Sequence, residues 1–178
     1  ENDQVLAIGE TGPDKRIATP MDVQMQVFTA QVEIAEFAGL PVIIHSVRSF
    51  SELIGFVRDH RPAVPMIVHC YRGSLQMAED LIDNGLYLSF GPAVLKDSKT
   101  SEAVQQIPLD RIFLETDEHA VDIREIYTRV AALRQLAVEV SLFPQGDFSG
   151  EDLRFSLMLL IPATSTGLPA TLMNGGTS

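Results

Sequence analysis

Several things are scarce in this chain, and each scarcity narrows what it can be. Only one of its 178 residues is cysteine, Cys70, so no intrachain disulfide can form and nothing points to a disulfide-stapled secreted domain. A reducing cytoplasm is the expected compartment. Long apolar runs are missing as well. The longest, Leu157 to Ile161, falls far short of the roughly 20 residues that a membrane span requires, and no basic-then-apolar leader opens the chain. A soluble protein without a membrane partner is therefore expected. Positive charge is sparse, with 13 Lys and Arg against 24 Asp and Glu and a net charge of −11. Holding nucleic acid by phosphate neutralisation alone needs clustered Lys and Arg, so that mode is disfavoured. Bound divalent cations remain able to attract phosphate locally. The four histidines include none before His45.

What is present is a pattern of strand ends. With 46% hydrophobic residues the chain suits one globular domain. Four short apolar runs each stop on a residue type that binds metal: Val5 to Ile8 before Gly9 and Glu10, Val42 to Ile44 before His45, Met66 to Val68 before His69, and Ile112 to Leu114 before Glu115, Thr116 and Asp117. In parallel α/β proteins, side chains just past the carboxyl ends of the strands converge on one crevice. Between the runs lie helical segments. Thr19 and Pro20 suit an N-cap and first helical residue, followed by an apolar stripe of Val23, Val27, Ala30, Ile34 and Ala38 that ends at Gly39. Further helices are expected from about Phe50 to Arg58, after Ser74 with Leu75, Ala78 and Ile82, around Glu102 to Gln106, and along Ile123, Ile126, Val130, Leu133 and Leu136.

Five alternations of strand and helix predict a parallel sheet covered on both faces. A closed eight-stranded barrel typically needs about 250 residues, so the expected fold class is α/β, an incomplete TIM-barrel-like fold with parallel strands, outer helices and an unpaired edge. Residues 1–140 form the expected domain. Residues 141–178, rich in Pro, Gly, Ser and Thr, read as an atypical, weakly structured tail, with a shifted reading frame or a junction as one explanation. A start at Glu1, without an initiator Met, suggests a piece of a longer protein.

Four ordered blocks are similar to one family. They are Ala7-Ile8-Gly9-Glu10-Thr11-Gly12-Pro13-Asp14, Leu40-Pro41-Val42-Ile43-Ile44-His45-Ser46, Val68-His69-Cys70-Tyr71-Arg72-Gly73-Ser74, and the stretch from Ile107 to Asp117. In order and spacing these resemble the TatD-type metal-dependent deoxyribonucleases over roughly residues 5 to 137. The resemblance implies a TIM-barrel-like fold and a two-metal site that hydrolyses DNA phosphodiester bonds. It implies Glu10 as a shared carboxylate, His45 and His69 as imidazole ligands, and Asp117 on the metal beside the attacking water. The chain departs from the family in lacking the His-x-His pair that ends the family's first strand. It has Gly12-Pro13-Asp14 where Gly-Leu-Asp is usual, Arg48 displaced by Val47, and Glu118-His119-Ala120 after Asp117.

Phosphodiester hydrolysis needs a nucleophilic water and stabilisation of charge on the phosphate, and divalent metals supply both. His with Asp or Glu suits zinc, manganese or magnesium, and the residues do not choose among them. Glu10 and Asp117 are the expected catalytic residues, and Asp117 also fits a general base. Arg72 and Ser74 precede a helix whose backbone N–H groups favour an anion, so they are expected substrate contacts, with an ordinary capped turn as the alternative. His60 reads as a solvated loop residue, His119 as an exposed loop histidine, and Cys70 as a small buried residue. Two other functions stay open: a related amidohydrolase-like enzyme on a small phosphate ester or amide, and a non-catalytic remnant or scaffold lacking the His-x-His half-site.

Overall fold

Short runs rich in Val, Ile and Leu favour buried strands, and here each is followed by a segment that can cap and fold as a helix. The structure, a computed structural model, describes residues 5–117, 121–136 and 158–159. Its elements run β1 (Ile8–Thr11), α1 (Met21–Ala38), β2 (Val42–Ile44), α2 (Phe50–His60), β3 (Met66–Val68), α3 (Leu75–Asp83), β4 (Tyr87–Phe90), α4 (Ser98–Gln106), β5 (Ile112–Leu114), α5 (Ile123–Arg134) and β6 (Met158–Leu159). Short 3-10 helices at Pro92–Leu95 and Leu109–Arg111 flank α4.

The strands lie in strictly sequential order, β1 to β5 parallel and β6 antiparallel against β5. Sequential order decides where the helices go. Right-handed crossovers that always step the same way place every helix on one face, so the helices lie outside a barrel-like winding, as expected of the incomplete TIM-barrel-like fold, and not on both faces of the sheet. The core follows from that. Val42, Ile44, Met66, Val68, Leu88, Phe90, Ile112 and Leu114 join helix residues Phe28, Val32, Leu53, Leu81, Val104 and Ile126 in one buried cluster. Intervening residues Ile43, Ile67, Ser89 and Phe113 point to the other face because side chains alternate along a strand. Within 141–178, only Met158 and Leu159 are among the described residues, so the expected tail lies outside them. Among the described residues no helix is long and apolar enough to cross a membrane.

Helix α1 departs from its expected orientation. Its buried residues are Gln24, Phe28, Val32 and Ala35, whereas Val23, Val27 and Ile34 are exposed and Phe37 is 95% exposed. The helix is apolar on two sides, so periodicity alone names two candidate faces. Polar and aromatic contacts decide between them. Gln24 donates to the Thr19 and Asp14 carbonyls at 2.7 and 3.0 Å and accepts from the Asp14 N–H at 2.7 Å, while the Phe28 ring packs 4.8 Å from Phe56. Pro20, not Thr19, takes the N-cap position. His60, expected to be solvated, stacks 4.9 Å from Phe56 and faces Glu36 at 3.6 Å.

Two features make testable predictions about stability. Gly12 has φ +140°, and a Cβ there would sit 2.3 Å from the His45 carbonyl oxygen. Gly12→Ala is expected to cost about 2 kcal/mol or more through backbone strain and forced displacement of β2, read by urea denaturation. Asp97 caps α4 by accepting from the Thr100 N–H at 3.0 Å, and it also accepts from the Thr100 hydroxyl. The Thr100 side chain and N–H hold its carboxyl below the usual range of 3.8. Asp97→Ala is expected to lose about 1 kcal/mol near neutrality. A depressed carboxylate stabilises above its unfolded pKa, so the gap between wild type and variant should shrink as pH falls below about 4 through the folded value. Unfolding curves across acid pH measure it.

Candidate metal centre

The strand period builds the site. His45, His69, Gly91 and Glu115 follow β2, β3, β4 and β5 by one residue, and each shares the parity of Ile43, Ile67, Ser89 and Phe113, away from the helices. Ladder-type hydrogen bonds continue past the strand ends. The His45 N–H donates to the Thr11 carbonyl at 2.9 Å, the His69 N–H to Ile44 at 3.0 Å, and the Glu115 N–H to Phe90 at 3.1 Å. Since Ile44 pairs with Val68, the two imidazoles emerge side by side. In β1 the register slips, with Ile8 opposite Val42 and Thr11 opposite Ile44, so one extra residue lies between the paired positions. Such a bulge re-aims side chains, and here it presents Glu10. Gly9 permits the approach, since a Cβ there would lie 2.6 Å from the Ile43 carbonyl oxygen.

Glu10, His45 and His69 converge, each offering one ligand atom, with all three atoms within 4.8 Å of one another. His69 Nε2 is 3.1 Å from Glu10 Oε2, His45 Nδ1 is 3.8 Å from the same oxygen, and the two ring nitrogens are 3.2 Å apart. The donor set fits a divalent cation. Two nitrogens at about 2.0–2.1 Å from a tetrahedral ion stand about 3.3–3.4 Å apart, close to this spacing. The centre has a dry side and a wet side: the His69 side chain is 8% exposed, while those of Glu10 and His45 are 29% and 40% exposed.

Asp117, the fourth expected ligand, stands outside that triad but next to it. Its Oδ2 accepts from the Cys70 thiol at 3.4 Å, and Asp117 itself has φ +52°. Cys70 is accordingly not a plain buried apolar residue. It is part-exposed at φ +46°, its N–H donates to Glu115, and burial, followed by the charges of Glu115 and Asp117, pushes its thiol pKa well up. Ser74 accepts from the Met77 N–H at 3.3 Å as the cap of α3, so the capped-turn reading holds for its oxygen. Arg72 is exposed beside it. His119 lies outside the described residues.

Two carboxylates were missed in the sequence as site residues. Glu115 is only 4% exposed, with Oε1 3.8 Å from His69 Nδ1. Asp14 sets Oδ2 3.3 Å from His45 Nε2, and the Arg16 N–H followed by the His45 contact lowers its pKa against a partial opposing effect of burial. The signals were there. Glu115 has the same strand parity as His69, and a carboxylate leaving a buried apolar strand needs a partner.

Comparison with known proteins identifies the family. The family model described as TatD related DNase matches residues 1–138. Among curated relatives, the uncharacterized metal-dependent hydrolase YabD of Bacillus subtilis is 37% identical over 120 residues, covering 65% of this chain and 47% of its own. The protein named 3'-5' ssDNA/RNA exonuclease TatD of Klebsiella pneumoniae is 28% identical over 137 residues, covering 74% and 52%. Among solved structures, the Escherichia coli TatD homolog YjjV superposes with a TM-score of 0.65 at 25% identity, over 75% of this chain and 57% of that one. The chain thus spans about half the length of the curated relatives it matches. With a family match over most of its length, and with an acidic and two imidazole groups gathered at the strand ends, the chain belongs to the TatD family.

Proposed function

We propose that this chain is a metal-dependent hydrolase of DNA phosphodiester bonds, working in a reducing cytoplasm. The observation that carries the reading is the convergence of Glu10, His45 and His69 on one point at the carboxyl ends of β1, β2 and β3. These three would hold the ion. When bound, a divalent magnesium, manganese or zinc supplies Lewis acidity toward a phosphoryl oxygen and an activated water. Glu10 would combine ligation with a side chain on the exposed side of the site. Asp117, with one oxygen turned to Cys70, would serve as general base toward a nucleophilic water. Arg72 and the backbone N–H groups at the start of α3 receive a phosphate of the substrate strand. The name carried by the Klebsiella relative supports single-stranded nucleic acid as substrate, and the acidic surface makes the ion the main attraction for phosphate.

The test is cleavage of end-labelled single-stranded DNA in magnesium, manganese or zinc, run beside small phosphate esters and amides. DNA cleavage that a chelator stops is expected, with Asp117→Asn lowering kcat by about 10²–10⁴ and Glu10→Gln, His45→Ala and His69→Ala lowering bound metal per chain. Turnover of a small ester without DNA cleavage moves the assignment to an amidohydrolase-like enzyme. Neither metal binding nor cleavage makes the chain a non-catalytic remnant.

A further inference from the structure

Each imidazole of the centre has one nitrogen facing Glu10 and the other facing a second carboxylate. His45 turns Nδ1 inward and Nε2 toward Asp14 Oδ2 at 3.3 Å. His69 does the reverse, with Nε2 inward and Nδ1 toward Glu115 Oε1 at 3.8 Å. His69 Nδ1 is fully buried and has no hydrogen-bond partner, in a side chain only 8% exposed. A ring nitrogen shut away from water needs a partner, and the nearest acid is Glu115. We propose that Asp14 and Glu115 are positioning residues that hold the two rings in opposite tautomers, Nε2–H on His45 and Nδ1–H on His69, so that both inward nitrogens present lone pairs.

Both carboxylates are themselves held in place. The Cys70 N–H donates to Glu115 Oε1. Asp14 is clamped through its backbone by Gln24 on α1, at 2.7 Å to its N–H and 3.0 Å to its carbonyl. Its Oδ1 accepts the Arg16 N–H at 2.7 Å, leaving Oδ2 for His45. The second partner of a metal-bound imidazole fixes its tautomer and raises its basicity. The 3.8 Å gap at His69 is longer than a hydrogen bond and is the kind of separation that tightens when a ligand engages the other nitrogen.

The inference rests on the metal-binding reading, and the experiment separates the two. Proton–nitrogen NMR of histidine-labelled, cadmium-loaded protein is expected to show the outer proton of His45 on Nε2 and that of His69 on Nδ1. In the cadmium-loaded protein, cadmium–nitrogen coupling is expected at His45 Nδ1 and His69 Nε2. Cadmium affinity is expected to fall about 10–100-fold in Glu115→Leu and Asp14→Ala, and less in Glu115→Gln, which keeps an acceptor. The same tautomer in both rings, or affinity within twofold of wild type in Glu115→Leu, overturns the proposal. If Glu115→Leu does not fold, an unchanged His45 tautomer in Asp14→Ala with affinity within twofold of wild type overturns it. If wild type binds no cadmium, the metal reading fails and this proposal with it, whereas bound cadmium with the same tautomer in both rings overturns this proposal alone.

Discussion

Three electron-pair donors aimed at one point repel one another unless a positive charge or a proton stands between them, and this molecule is built around that conflict. Glu10, His45 and His69 reach it from three strands, and none can withdraw without breaking something else. His45 and His69 are pinned by backbone hydrogen bonds to Thr11 and Ile44. Glu10 is pinned by the bulge in β1 and by glycines that let β1 and β2 approach more closely than side chains allow. A protein that fixes such donors before the ion arrives gives up some stability and gains a preorganised site, the usual exchange at a functional centre.

The outer layer of the site follows the same logic. Gln24 belongs to the buried face of α1, yet its amide serves the loop that carries Asp14. Cys70 uses its N–H for Glu115 and its thiol for Asp117. Asp14, Glu115 and Asp117 around the candidate metal centre are thus held by polar groups that a purely apolar core would not need, and such groups keep side chains within narrow geometric limits.

Much of this was legible in the sequence because parallel strands convert local patterns into shared geometry. An apolar run ending in histidine, twice, is enough to place His45 and His69 next to each other once the strands pair in register. The face of α1 was not legible. Val23, Val27 and Ile34 have the right spacing for a core stripe, but so do Phe28, Val32 and Ala35, and the choice was made by Gln24, a polar residue that hydrophobic periodicity cannot score. Glu115 was hidden for a different reason. It sits in the shadow of Asp117 two residues on, and its burial, which the sequence does not display, sets it apart. The one-sided helical layer depended on strand order, which no single segment encodes.

Among the described residues, strand β1 stands at one end of the sheet and pairs only with β2. A sheet edge of this kind can accept a further strand, the usual starting point for edge-to-edge assembly. The surplus of carboxylates, −11 in all, opposes this by making approaching copies repel. Acidification that neutralises those groups removes the repulsion while leaving the backbone hydrogen-bonding groups of a sheet edge unchanged.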